Sequence, residues 1–175
     1  MKVAISDDLS FTAAMFDSEQ TVASKDDITG EDVDIKGLTV DGFEAELKGN
    51  LTDKFSLVAG FTAMDGETSS GGEPREIPEQ MITLYGTYEI SDKAGVAFGF
   101  TKQGESNIKN NNPDLILPSY TRFDMAAYYN ISDDLVLRFN VENLTDKLYF
   151  PHSHSTHQVS VGRERNVTLS LTRSF

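Results

Sequence analysis

Residues 135–143 read Leu-Val-Leu-Arg-Phe-Asn-Val-Glu-Asn, and they alternate one by one. Leu135, Leu137, Phe139 and Val141 fall on one face; Val136, Arg138, Asn140 and Glu142 fall on the other. Successive side chains of a β-strand point to opposite faces, so a period of two predicts a strand with one apolar face. The same pattern recurs outward from this stretch. In 123–131, Phe123, Met125, Ala127, Tyr129 and Ile131 alternate with Asp124, Ala126, Tyr128 and Asn130. In 43–51, Phe43, Ala45, Leu47, Gly49 and Leu51 alternate with Glu44, Glu46, Lys48 and Asn50. The final stretch sets Val167, Leu169, Leu171 and Phe175 against Thr168, Ser170, Thr172 and Ser174, with Arg173 breaking the apolar side. No comparable helical periodicity stands out.

The predicted strands are 9–17, 37–50, 54–66, 80–90, 94–105, 120–131, 135–147 and 159–175, with a stub at 2–5. The fold class is therefore all-β, antiparallel, with about eight strands. The connections alternate in length. Ser6-Asp7-Asp8, Thr52-Asp53, Ser91-Asp92-Lys93 and Ser132-Asp133-Asp134 are tight, with Ser and Asp supplying turn chemistry. Segments 18–36, 67–79, 106–119 and 148–158 are long and polar. Antiparallel strands place successive connections at opposite ends of a sheet. Short turns at one end and long loops at the other are the habit of transmembrane barrels. A soluble antiparallel sandwich alternates too, with its apolar face turned inward. Strand length favours the membrane, because soluble strands usually run about 5–6 residues.

Composition agrees. The chain of 175 residues has no Cys, which excludes a disulfide framework and a thiolate metal site. Its net charge of −13 argues against nucleic acid, since phosphate binding needs clustered Lys and Arg. No segment reaches the ~18 apolar residues of a membrane helix. A barrel strand needs only ~9–11 residues with alternate positions apolar. Met1 is followed by Lys-Val-Ala-Ile-Ser-Asp-Asp, without the apolar run of a signal peptide.

Four stretches resemble the barrel of TonB-dependent outer-membrane receptors of the ferric-siderophore type. Residues 41–67 resemble a paired-strand motif, carried by Gly42, Glu44, Glu46, Gly49 and Phe55 to Thr62. Residues 77–90 resemble a strand marked by Pro78 and Tyr88. Residues 117–150 resemble a longer pattern, carried by Pro118, Tyr120, Asp124, Tyr128, Asn140, Asn143, Leu144, Asp146 and Tyr149. Residues 161–175 resemble the family's closing strand through Gly162, Arg165 and Phe175, with Glu164 where Pro is frequent.

The resemblance implies that residues 1–175 are the C-terminal part of a larger barrel, without its plug domain and earlier strands. It implies import of ferric siderophores bound by extracellular loops, with the chelate as cargo and no resident cofactor. It also implies several partners: a TonB complex reached through an N-terminal region, the outer-membrane assembly machinery, the lipid bilayer and lipopolysaccharide. The implied location is the bacterial outer membrane. Nothing is made or broken in such transport, so no catalytic residues are expected. Phe175 resembles the assembly signal of a terminal strand. Two alternatives stand beside this reading: a standalone eight-stranded structural or adhesive barrel, and a soluble β-sandwich binding module.

Three histidines lie close in sequence: His152, His154 and His157. Imidazoles bind transition metals, but Fe(III) prefers oxygen and no carboxylate is near in sequence. Two readings stand: these residues of an extracellular loop contact a chelated ligand, or they lie on an exposed polar loop and bind nothing in particular; direct metal ligation is not expected. The acidic segment holding Glu19, Asp26, Asp27, Glu31, Asp32 and Asp34 lacks the register of a calcium loop and reads as solvated. Glu44, Glu46, Lys48, Arg138, Asn140 and Glu142 are expected to face a wet lumen. Tyr85, Tyr88, Tyr128, Tyr129, Tyr149 and Phe150 are candidates for aromatic girdles.

Overall fold

The computed structural model describes residues 1–25, 28 and 30–174, apart from the side chains of residues 34 and 155. Asp26, Asp27 and Phe175 lie outside the described residues. Thirteen strands follow in order: β1 Lys2–Ala4, β2 Leu9–Lys25, β3 Asp32–Thr52, β4 Phe55–Thr68, β5 Gln80–Ser91, β6 Ala94–Gln103, β7 Ser106–Asn107, β8 Ile116–Leu117, β9 Tyr120–Ser132, β10 Leu135–Glu142, β11 Ser153–Ser155, β12 Gln158–Val159 and β13 Asn166–Arg173. Nine of them form one antiparallel sheet in the order β1-β2-β3-β4-β5-β6-β9-β10-β13. The pairs β7–β8 and β11–β12 are small hairpins inside two of the long loops. β1 and β13 are the two edges and do not pair with each other, so the sheet is an open wall.

The register carries the alternation across the whole wall. Val3, Phe11, Leu47, Ala59, Leu84, Phe100 and Phe123 form one continuous row. Leu137 pairs with Tyr129 and Leu171, and Phe139 pairs with Ala127 and Leu169, on the same face. The Phe100 and Phe123 rings lie 5.4 Å apart there, and Phe43 and Phe61 lie 6.4 Å apart. A one-residue slip would move every side chain to the other face, so this unbroken match fixes the register.

No second sheet covers the apolar face among the described residues. Leu169 is 67% exposed and Leu171 61%. A sandwich would bury them; lipid would cover them in a barrel. The five outward positions of β4, 55 to 63, show the scale. Nine residues at about 3.3 Å each, tilted by about 40°, stand about 23 Å tall, close to the ~25 Å apolar band of outer-membrane barrels. At the long-loop end, Asp17, Asp41 and Asp65 lie directly opposite one another on this same face. Glu19, Thr39 and Glu67 form the next row. Like charges opposite each other repel, and the row needs water. It marks the upper limit of the apolar band. Tyr88 and Tyr129, also on the apolar face and exposed, sit towards the other end.

Three expectations need correction. Segment 18–36 is not simply a loop. β2 and β3 continue through it as a two-stranded ribbon, pairing Thr21 with Lys36 and Lys25 with Asp32. The β-branched Thr21, Val22, Val33 and Ile35 favour extended backbone and outweigh the acidic composition. Second, β10 ends at Glu142 and β13 starts at Asn166, so 143–147 and 160–165 belong to the loop between them. Third, Tyr85 and Tyr128 fall on the polar face, and Tyr149 is buried. None of these three belongs to a girdle facing lipid.

The short turns lie at the opposite end from the loops. In one of them the Ser132 hydroxyl donates to Asp134 Oδ1 at 2.6 Å, and Arg173 Nε donates to Oδ2 at 3.0 Å. These bonds, the Ser132 one foremost, hold the Asp134 carboxyl below the usual carboxylate range. A lowered folded value means that the contribution is fully present above the ordinary aspartate value of about 3.9 and is lost as pH falls through the folded value. The Ser174 N–H donates to Asp134 O at 2.9 Å. Its exchange, corrected for intrinsic pH dependence, is expected to quicken below about pH 4 in the native protein. Asp134→Asn should abolish that acid-side change.

Candidate functional site

The loop joining β10 to β13 folds back onto the polar face, and its anchor is Asn143. This residue adopts φ 50° and is 1% exposed. Asparagine tolerates the left-handed region better than most side chains, so the strand ends there and the chain turns inward. The Asn143 N–H donates to Asp124 Oδ1 at 2.8 Å. Its Nδ2 donates to Lys147 O at 2.9 Å and Arg163 O at 3.0 Å, and its Oδ1 accepts from Lys147 N at 3.0 Å. One side chain thus ties the start of the loop to its end. Asp146, at φ 53°, repeats the device and accepts from Arg165 N at 2.8 Å.

Beside it runs a half-buried polar chain on β6 and β9. Arg122 donates from Nε and Nη2 to Asp124 Oδ2 at 3.1 and 2.9 Å, and from Nη1 to the Tyr149 hydroxyl at 3.3 Å. Tyr120 stacks on Tyr149 at 4.7 Å and donates to Gln103 Oε1 at 3.2 Å. Gln103 Nε2 donates in turn to Pro151 O at 3.2 Å. Arg122, Asp124, Tyr120 and Gln103 share the polar face with Lys48 and Glu46. The loop therefore occupies the side opposite the lipid face, which makes the polar face the interior of the barrel.

Gly162 completes the seat. A Cβ added there would lie 2.2 Å from the Tyr149 ring, so only a glycine lets the chain pass. Gly162→Ala is expected to push the ring off Arg122 at a cost of about 1–3 kcal/mol, as overpacking does. Faster tryptic cleavage at Arg163 and Arg165 in the folded protein would show it.

Three long loops meet above this seat. The Arg75 N–H donates to Asn110 Oδ1 at 2.8 Å, and Arg75 Nη1 donates to His154 O at 2.6 Å. The Glu76 N–H donates to Asn107 O at 2.9 Å, and Glu76 Oε1 accepts from Ser153 N at 2.7 Å. Glu73 Oε2 accepts from Asn107 Nδ2 at 2.7 Å. Residues 73–76 thus clasp the other two loops. Between the loops lies a cleft of about 450 Å³, lined by Glu76, Gln103, Ser106, His152, Ser153 and His154 among others.

His152 and His154 flank buried Ser153 and line the same cleft. His157 lies in the turn between β11 and β12, away from that lining. Among the described residues no three His, Asp or Glu side chains are grouped to hold a metal. Glu44 and Glu46 line a cavity on the polar face with Thr12, Thr62 and Thr83. Sequence reasoning missed the clasp at 73–76, because nothing in a polar loop signals which distant carbonyl an Arg will reach.

An open antiparallel wall, apolar outside and polar inside, with loops folded into the interior, is part of a transmembrane β-barrel. Residues 5–144 match the family described as TonB dependent receptor-like, beta-barrel. The chain belongs to the TonB-dependent receptor β-barrel family. It is 29% identical over 188 residues to the probable TonB-dependent siderophore receptor PiuA of Acinetobacter baumannii, covering 95% of this chain and 25% of that one. It is 31% identical over 144 residues to the ferripyoverdine receptor of Pseudomonas aeruginosa, covering 77% and 18%. The crystal structure of PiuA superposes with a TM-score of 0.83 at 28% identity, over 98% of this chain and 27% of that one. The ferripyoverdine-bound Pseudomonas receptor superposes with a TM-score of 0.82 at 28% identity, over 99% and 26%. The chain spans about a quarter of the length of these relatives.

Proposed function

We propose that this chain is the C-terminal part of the barrel of an outer-membrane TonB-dependent transporter that imports ferric siderophores. The family match over residues 5–144 carries the reading. Relatives that are siderophore receptors support it. The short turns face the periplasm and the clasped loops face outward, where they contact the iron chelate. His152, His154 and His157 are the candidate contacts on the last of these loops. The iron remains chelated cargo, and the chain supplies walls and loops without bond chemistry. Energy enters through a TonB complex and a plug in the rest of the protein. Lipid and lipopolysaccharide cover the apolar face, and Phe175 is the signal read during assembly.

The test is uptake by iron-starved cells with and without the gene. Radiolabelled iron would be supplied on ferrioxamine B, on pyoverdine and on the cells' own secreted chelators. Gene-dependent uptake of at least one is expected, together with a rise of the protein in outer membranes on starvation. Uptake that is identical in both strains for all of them, and a level indifferent to iron, would overturn the transporter reading.

A further inference from the structure

Glu76 holds a backbone conformation that its side chain does not favour. Its φ is 60°, in the left-handed region that residues other than glycine and asparagine rarely enter. Such a conformation persists only where the surroundings over-determine it. Here they do so from two loops at once. The Glu76 N–H donates to Asn107 O at 2.9 Å, in loop 104–119, and Oε1 accepts from Ser153 N at 2.7 Å, in loop 143–165. Pro74 and Pro78, both buried, bracket the residue, and each fixes its own φ. Pro74 packs on the end of β4, where a Cβ added at Gly66 would lie 2.6 Å from its Cγ. The strained residue is thus seated on the wall and sends one hydrogen bond into each neighbouring loop.

The two neighbours reach each other through this segment. Asn107 Nδ2 donates to Glu73 Oε2 at 2.7 Å, the Arg75 N–H to Asn110 Oδ1 at 2.8 Å, and the Asn111 N–H to Glu73 O at 2.8 Å. Asn111 also accepts from the Thr68 hydroxyl and donates to Ser70 Oγ, each at 2.7 Å. Loop 143–165 is tied to the same segment by Arg75 Nη1 on His154 O and by Glu76 on Ser153 N. Among the described residues no hydrogen bond joins loop 104–119 directly to loop 143–165. The cleft of about 450 Å³ is lined by Ser106 and Leu117 from one and by Pro151 to His154 from the other. Apart from the wall itself, the path between the two loops is residues 73–76.

We propose that residues 73–76 are a latch that makes loops 104–119 and 143–165 open and close as one unit, with the strained backbone of Glu76 setting it to release when either side lets go. Losing one of the two hydrogen bonds leaves that backbone with a single support. The left-handed conformation then relaxes and withdraws the other bond. Two states follow, clasped and open, and both loops bias the same element. By linkage each loop stabilises the other by the same factor. As a gate over the interior the latch rests on the transporter reading; the coupling itself does not.

Hydrogen exchange of the intact protein carrying this chain, purified in detergent, tests the coupling. Asn107→Ala and Asn110→Ala delete side-chain bonds to Glu73 and Arg75, not to loop 143–165. Asn107→Ala removes a bond to a carboxylate and should quicken exchange at the Ser153 amide about tenfold or more; Asn110→Ala should quicken it about threefold or more. In the other direction, Glu76→Ala deletes the carboxylate on Ser153 and should quicken the Asn111 amide about threefold or more. Glu76→Gly loses the same carboxylate but relieves the backbone, so its Asn111 amide should exchange about fivefold more slowly than in Glu76→Ala. The double variant N107A/E76A should exceed the larger single effect by less than about threefold, since one latch opens once. A Ser153 amide unchanged by both asparagine variants would overturn the proposal. So would an Asn111 amide unchanged by Glu76→Ala, or β4 and β5 amides that quicken as much as those of the loops. Exchange needs neither ligand nor transport, so such a failure leaves the transporter reading standing. Iron uptake identical with and without the gene would leave the latch standing and remove only its role as a gate.

Discussion

Asn143→Leu is expected to release the whole loop between β10 and β13 from the barrel interior. The side chain is 1% exposed and makes three hydrogen bonds, two to Lys147 and one to Arg163, at the two ends of the loop segment. Leucine has nearly the same shape, yet it leaves Lys147 N–H, Lys147 O and Arg163 O without these partners. Leaving a buried polar group unpaired costs about 1–3 kcal/mol, and a non-glycine, non-asparagine residue in the left-handed region adds about 1 more. Solvent will satisfy some of these groups once the loop lifts, so the expected loss is about 3–5 kcal/mol of local stability. The sheet itself does not depend on this residue, since β10 pairs with β13 along its full length and with β9 from Leu135 to Val141. The effect should therefore be local. Hydrogen exchange of Lys147 and Gly162 amides should accelerate by roughly two to four orders of magnitude. Amides of β4 and β5 should not change. A uniform loss across all strands would show that Asn143 supports the barrel and not the loop.

The contrast between Asn143 and the strands says what a sequence displays. Strand faces follow from a period of two, so Glu44, Glu46, Lys48, Arg138 and Asn140 all emerge on the interior side as expected. Loop ends follow from backbone conformation and distant partners, which alternation does not encode. Asn143 and Asp146 stand out in the sequence only through the family pattern, although their positive φ values end β10 and begin the inward turn. Tyr149 illustrates the same limit. An aromatic after a strand reads equally well as a girdle residue or a plug in the interior, and only the Arg122 hydroxyl bond and the Tyr120 ring decide. The acidic ribbon fails in the other direction. Charge on Glu19, Glu31 and Asp32 suggested a solvated loop, while Val22 opposite Ile35 and Ser24 opposite Val33 form an ordinary ladder that water can cover on both sides. The histidines are near one another in sequence, yet the turn at His157 separates it from the cleft that His152 and His154 share.

Leu47→Arg and Glu46→Arg put the same side chain on adjacent residues of one strand and should give opposite results. Leu47 is the central outward position of the apolar stretch 43–51, level with Phe11 and Ala59. Arginine there must desolvate or reach for the interface, and on a barrel's lipid face near the midplane this costs about 2–4 kcal/mol. Glu46 points to the interior beside Thr12, Thr62 and Thr83. An arginine at 46 remains in water, opposite Thr12 and Gly60 on the neighbouring strands, and should change stability by less than about 0.5 kcal/mol. Urea unfolding of the intact protein in lipid bilayers measures both. In a soluble sandwich the apolar face would be a packed core, and Leu47→Arg would be destabilising there too. The deciding comparison is therefore with Leu169→Arg, at a position 67% exposed in the middle of the edge strand β13. An exposed leucine in water costs almost nothing to replace, whereas one in lipid costs nearly as much as Leu47. A large penalty at both leucines and none at Glu46 places the apolar face in the bilayer. A penalty at Leu47 alone would place that face against protein and remove the barrel assignment.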